Sequence, residues 1–325
     1  MLPYLKNPRT LDDSLTILAL RGMHIPDREH ARRTLIRLGY YRLSAYWYPF
    51  RDFCPLPDKE NELVRCDQFK SGTTFDHAVN FYLFDKALRL TLLDAIERLE
   101  IVLRTILVET LAAMGTHSHR DARSYRSAFA EPDKEGKVPL FEFVEGLDQQ
   151  FTRSKEEFAK HFTRKYSGNP PIWVAAGTWD WGNLTHIITN LADRHKLTLA
   201  REISKNLPVR NMISWVSCLN EVRNSCAHHS RTWNKPLINS PSFPPKEDFN
   251  EFSHLRNARG QINDSAVKRL YGAVVVMIFL LRRFFPRTQW HIRLKDQIRS
   301  AALPHEVSIA SAGFPEGWDA QPIWN

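Results

Sequence analysis

Residues 75–114, FDHAVNFYLFDKALRLTLLDAIERLEIVLRTILVETLAAM, decide the fold class. Phe81, Phe84, Leu88, Leu92, Ile96, Leu99, Leu103 and Leu107 recur at steps of three and four, the period of one helix face laid against a core. That pattern predicts one long bundle helix from Phe75 to about Met114, closed by Gly115. Asp85–Arg89 and Glu100–Arg104 are spaced i,i+4, so each pair is expected to support the exposed face. The alternative is that Arg104 or Glu97 faces a functional cleft, where Arg104 would bind substrate.

Upstream, Thr10 is a plausible N-cap, with Asp12 and Asp13 placed to suit the helix dipole and Gly22 as the stop. Asp27 opens a second short helix that ends at Gly39. This pair could read duplex DNA or form a helical cap. Residues 40–53, YYRLSAYWYPFRDF, are densely aromatic and carry Arg42 and Arg51. They read first as a hydrophobic seam onto the main bundle. The alternative is a surface where aromatics stack single-stranded bases and Arg42 holds a phosphate. Residues 54–74 read as a loop with a short hairpin.

Downstream, His117, His119, Arg120, Arg123 and Arg126 read as a solvated basic patch. Helix resumes from Phe141 to Tyr166 with Phe151, Phe158 and Phe162 inward, and ends at Gly168-Asn169-Pro170-Pro171. Ser265 to Phe285 reads as one nearly apolar helix that plugs the bundle, followed by a basic and then loose tail. No β-rich section of any length is visible.

The 325 residues suffice for one large or two ordinary domains, and 43% hydrophobic content allows a real core. A formal charge of +9 points towards polyanions, although a basic surface also serves membranes or solubility. Cys54, Cys66, Cys218 and Cys226 form no C-x-x-C pair and lie at no zinc-finger spacing, so free thiols in a reducing cytosol are expected. The opening Met1-Leu2-Pro3-Tyr4 lacks the apolar core of a secretion signal. The longest apolar run, Ala273–Leu281, is about half a membrane span. A cytoplasmic protein with no membrane partner is the expectation.

The densest chemistry lies in residues 219–234, LNEVRNSCAHHSRTWN. Arg223 and Arg231 are cations, His228 and His229 are side chains suited to moving protons, and Asn224 and Asn234 offer donors and acceptors. No acidic residue follows Glu221, so the segment is poor at holding a hard cation, and no metal or other cofactor is expected. It suits an anion that needs charge neutralised and protons moved, such as a phosphodiester. Arg and His near a helix end also serve as plain dipole partners. The spacing poses a geometric problem. A five-residue step turns a helix by about 140°, so either the helix ends near Ala227 or a second subunit completes the pair.

Arg223 and His228 frame R-x4-H, which resembles the R-x4–6-H motif of the HEPN superfamily, helical proteins that include metal-independent ribonucleases. The longer string from Arg223 to Asn234 more narrowly resembles the Abi-like (AbiD/AbiF) abortive-infection proteins of bacteria. The N-terminal Tyr40-Tyr41-Arg42-Leu43-Ser44 section and the Pro170-Pro171-Ile172-Trp173 section match the same pattern in the same order. Where the family usually has Glu-x-x-Ser-Phe-Gly, this chain has Gly177-Thr178-Trp179-Asp180-Trp181-Gly182. The resemblance implies an all-α HEPN-type bundle over residues 75–290, an N-terminal helical extension over 1–74 and a tail over 291–325. It also implies an endoribonuclease acting in anti-phage abortive infection or toxin–antitoxin defence, with Arg223, Asn224, His228 and His229 catalytic. Arg231 and Asn234 would bind the RNA substrate. A homodimer and an antitoxin RNA or protein are the partners implied. A non-catalytic RNA binder and a helical DNA-binding module are the alternatives.

Overall fold

The computed structural model describes residues 7–56 and 59–325. Residues 1–6, read for a secretion signal, and Pro57 of the expected loop lie outside the described residues. Helices α1 (Leu11–Leu20), α2 (Arg28–Leu38) and α3 (Tyr40–Trp47) lead into an antiparallel hairpin of β1 (Arg51–Leu56) and β2 (Lys59–Phe69). The long α4 (Phe75–Ala112) follows. Next come α5 (Ser127–Ala130), α6 (Pro139–Arg153), α7 (Glu157–Lys165), α8 (Ile172–Ala175), α9 (Trp181–Asn190), α10 (Asp193–Ile203) and α11 (Val209–Ala227). Last are α12 (Asp264–Val267), α13 (Leu270–Phe284) and α14 (Trp290–Arg299). The fold is all-α apart from the hairpin.

Local chemistry sets several of these boundaries. Thr10 and Asp13 form a reciprocal capping box at α1, Asp27 accepts the His30 N–H at α2, and Thr74 caps α4. Helix α4 is the axis of the bundle, with α3, α9, α10, α11, α13 and α14 packed on it. Its inward stripe of Phe81, Leu88, Leu92, Ile96, Leu99, Leu103 and Leu107 is fully or almost fully buried, as the spacing predicts. One continuous apolar cluster runs from Leu15 to Trp324. None of the described helices is long and apolar enough to cross a membrane.

Five expectations are corrected. The helix expected over 141–166 breaks at Ser154–Glu156 into α6 and α7, which leaves Phe158 41% exposed. The helix expected over 265–285 breaks into α12 and α13, because the chain doubles closely on itself there. A Cβ on Gly272 would stand 2.5 Å from the Val267 carbonyl oxygen. The tail is not loose: Phe314, Trp318 and Trp324 are buried, and Phe314 packs 4.8 Å from the ring of Tyr271 on α13. His119 is buried beside Trp179 and is not part of a solvated patch, and Arg120 and Arg123 are paired with Asp148 and Asp121. Cys54 and Cys66 are disulfide-bonded across the hairpin, where strand pairing brings their Cα atoms to 5.5 Å, inside the range a disulfide needs. Cys218 and Cys226 are free thiols, as expected, and buried.

Candidate functional site

Helix α11 presents a buried stripe of Met212, Trp215, Val216, Leu219, Val222 and Cys226 to the bundle, so its C-terminus emerges at a fixed place. There the helix stops in a Schellman arrangement. The Ser230 N–H donates to the Ser225 carbonyl at 2.8 Å, and the His229 N–H donates to the Cys226 carbonyl at 3.1 Å. His228 is the cap, and His229 takes the left-handed position (φ 57°) where glycine is usual. Asn234 is also left-handed (φ 55°), and among the described residues these two are the only non-glycines with positive φ. Of the two solutions to the five-residue spacing, the helix does end at Ala227.

Beyond the cap the chain turns back into the core. Trp233 is fully buried, edge-on to Phe84 and stacked on Phe314. The carboxylate of Asp85 on α4 sits beneath this turn. Its Oδ1 accepts the N–H groups of Trp233 (2.8 Å) and Thr232 (3.1 Å), and its Oδ2 accepts the Tyr46 hydroxyl (2.8 Å) and the Arg89 guanidinium. Arg89 also reaches the Ser230 carbonyl at 3.4 Å. Although burial opposes its charge, the Asp85 carboxylate and the Tyr46 oxygen hold Arg89 above its usual pKa. The Asp85–Arg89 pair therefore does not support an exposed face. Both side chains are buried, and together they fasten α3, α4 and the motif loop.

The same signal that identified α4 could have identified Asp85. It continues the stripe of Phe81, Leu88 and Leu92 at steps of four and three, so the helix period turns it inward.

The expected site residues fall into three groups. His228 and His229 are exposed at the rim of an open cleft of about 770 Å³ between the motif loop and α3. Arg42, Arg231 and Lys235 line the same cleft, and among the described residues no carboxylate does. Arg231 is half-buried and donates to the Ala45 carbonyl of α3, and burial lowers its pKa. It therefore ties the loop to α3 as well as bordering the cleft.

Arg223 lies elsewhere. It borders a second cleft of about 430 Å³ against α4, with Glu97, Glu100 and Arg104. Arg104 pairs with Glu100 at 2.6 Å and donates to the Trp179 carbonyl at 2.8 Å, so the second i,i+4 pair is half-buried on a cleft wall. Among the described residues, Arg223 has no carboxylate within 4 Å. Its side chain makes a 3.3 Å donation to Asn224 Oδ1, and Asn224 in turn donates to Asn220.

Asn234 stands apart from both clefts. Its Oδ1 accepts from Arg269 at 3.1 Å, which makes it a turn residue that anchors the loop to the start of α13.

Sequence reasoning missed Lys235, and it took residues 40–53 mainly as packing. The structure divides that segment. Leu43, Tyr46, Trp47 and Phe50 are buried, whereas Tyr41 is 80% exposed and Tyr48 49% exposed on the histidine cleft. Cys226, under the motif, is no nucleophile, because burial pushes its thiol up to about 12.

The Abi-like protein family model matches residues 33–234, from α2 through the motif. No curated protein and no solved structure matches the chain. With most of its length covered, from α2 to Asn234, the chain belongs to the Abi-like protein family.

Proposed function

We propose that the chain is a metal-independent endoribonuclease of HEPN type, acting in bacterial abortive infection or toxin–antitoxin defence. Family membership supports the defence role. The observation that carries the chemistry is the capped end of α11, which holds two imidazoles at the rim of a cleft lined, among the described residues, by three cations and no carboxylate.

In this reading one imidazole takes the proton of a ribose 2′-OH while another protonates the leaving 5′-oxygen. The cleaved bond is P–O5′, and the products carry a 2′,3′-cyclic phosphate and a 5′-OH. Arg223 stabilises charge on the phosphorane oxygens. Asn224, bonded to Arg223, orients that guanidinium. Arg223 and His228 line different clefts of one chain, which supports a site completed by a second copy in a homodimer. An antitoxin RNA or protein would restrain such an enzyme in the cell.

The test is incubation of metal-free protein, in EDTA, with total RNA and tRNA, beside Arg223→Ala and His228→Ala. Cleavage by the wild type alone, leaving cyclic phosphate ends, is expected. RNA binding shared by all three proteins without cleavage would favour the second reading, a non-catalytic RNA binder. A strict monomer with full activity would refute the dimer. The DNA-binding alternative is weakened by α2 itself, whose Arg28 and Arg32 both turn to Asp12 on α1.

A further inference from the structure

We infer that the histidine cleft holds a stacking subsite for an unpaired nucleotide, built on Tyr41 and Tyr48 with Arg42 and Lys235 as its phosphate contacts. The inference deepens the ribonuclease reading, because it names the substrate of that same cleft as single-stranded RNA.

The placement rests on which faces of α3 are used. Its inward side chains, Leu43, Tyr46 and Trp47, are buried, and Tyr46 is held by Asp85 beneath the motif loop. The same register leaves Tyr41 and Tyr48 outside, on the wall facing His228 and His229. Tyr41 meets Tyr40 edge-on with ring centroids 5.6 Å apart and still has most of its surface exposed on the cleft.

The aromatic surface extends onto the hairpin. Arg65 on β2 lies over the rings of Phe53 (4.4 Å) and Tyr48 (5.6 Å) while donating to the Pro49 and Arg51 carbonyls. Those bonds fix the guanidinium and leave Tyr48 and Phe53 about half exposed. The result is a stiff aromatic and cationic edge leading away from the imidazoles.

Charge selects the occupant. Among the described residues, Arg42, Arg231 and Lys235 line the cleft with no opposing carboxylate, so a polyanion is complementary and an acidic phosphodiester strand fits. Stacking selects the strand form. In a duplex each base face is covered by its neighbours, whereas a single strand can lay bases on aromatic rings and its phosphates on cations. A 2′-OH beside the imidazoles is also free to line up with its phosphate only where the strand is unpaired.

The test uses the full chain and a labelled, uncleavable 2′-O-methyl oligoribonucleotide, single-stranded or annealed to its complement, in a fluorescence anisotropy titration. The single strand should bind more tightly than the duplex. Tyr41→Leu/Tyr48→Leu should weaken it by roughly tenfold or more, whereas Tyr41→Phe/Tyr48→Phe should stay within about twofold. Arg42→Ala should lower the salt slope by about 0.7.

Equal affinity for duplex, or a leucine pair that binds like wild type, would overturn the subsite. Should the leucine pair misfold, photocrosslinking of wild type to a 5-iodouridine oligonucleotide decides: adducts at Tyr41 or Tyr48 support the subsite, and adducts elsewhere refute it. No binding of either RNA refutes it too and leaves the aromatic edge to a protein partner. Ring-dependent binding without cleavage would keep the subsite and remove the nuclease. Cleavage that ignores the rings would do the reverse.

Discussion

The carboxylate of Asp85 accepts the backbone N–H of Trp233 at 2.8 Å, across 148 positions of chain. That one bond joins the first third of α4 to the turn that follows the R-x4-H motif, so the geometry at His228 and His229 is inherited from the bundle core.

Asp85→Ala should leave the Arg89 guanidinium, the Tyr46 hydroxyl and two backbone N–H groups without their shared acceptor. Removing one partner of a buried ion pair lowers stability by about 3–5 kcal/mol. Urea titration would show it, and hydrogen exchange at Thr232 and Trp233 should accelerate. Asp85→Asn keeps one acceptor oxygen and should lose less. An alanine variant within experimental error of wild type would remove Asp85 from this role.

His229→Gly should stabilise the fold, because the left-handed backbone at φ 57° strains any residue with a Cβ. A gain of about 1 kcal/mol in thermal or urea unfolding is expected. If the imidazole moves a proton in catalysis, cleavage should fall while stability rises. That opposite movement separates a functional side chain from a merely tolerated one.

His119 imposes a pH dependence. Burial first, then the charges of Arg120 and His117, lowers its pKa to about 4 from 6.5. The folded state therefore refuses a proton that the unfolded chain accepts. Stability should be intact above pH 6.5 and should fall as pH drops from there towards 4. Between pH 7 and 5 the loss from this residue is about 2 kcal/mol. Denaturation midpoints at the two pH values check it. His119→Phe should flatten the difference by that amount, and an unchanged slope would assign the acid sensitivity elsewhere.

Gly272→Ala and Gly146→Ala make a paired test of packing. A Cβ at Gly272 meets the Val267 backbone at 2.5 Å, so the α12–α13 corner must shift, at about 1–3 kcal/mol. At Gly146, inside α6, nothing lies within 4 Å, and alanine should stabilise by about 0.5–1 kcal/mol. Thermal shifts of opposite sign are expected. A stabilising shift for Gly272→Ala would contradict the contact at Val267, and a destabilising one for Gly146→Ala would contradict the open space there.

Much of the molecule was legible because its signals are local. The stripe along α4, the caps at Thr10 and Asp27, the glycine at 39 and the apolar middle of α13 each depend on neighbours within a few residues. The end of α11 at Ala227 was one of two alternatives that the five-residue spacing left open. The family string from Arg223 to Asn234 was readable because it is contiguous.

What the sequence by itself determined, then, was the helical class, several helix ends and the family string from Arg223 to Asn234. The tertiary structure decided which polar groups are partners. Asp85 and Arg89 have the spacing of a surface pair, and only the burial of Tyr46 and the Thr232–Trp233 turn around them makes the pair internal. The partner of Asn234 Oδ1 is Arg269, 35 residues further along the chain. Cys54 and Cys66 became a disulfide only through strand pairing. Arg223 and His228, five residues apart, line different clefts because the helix ends between them: Arg223, still on α11, borders α4, whereas His228, at the cap, borders the cleft against α3. Helix period and capping are set by a few adjacent residues, whereas the partner of a buried charge is chosen by chain that folds back from far away.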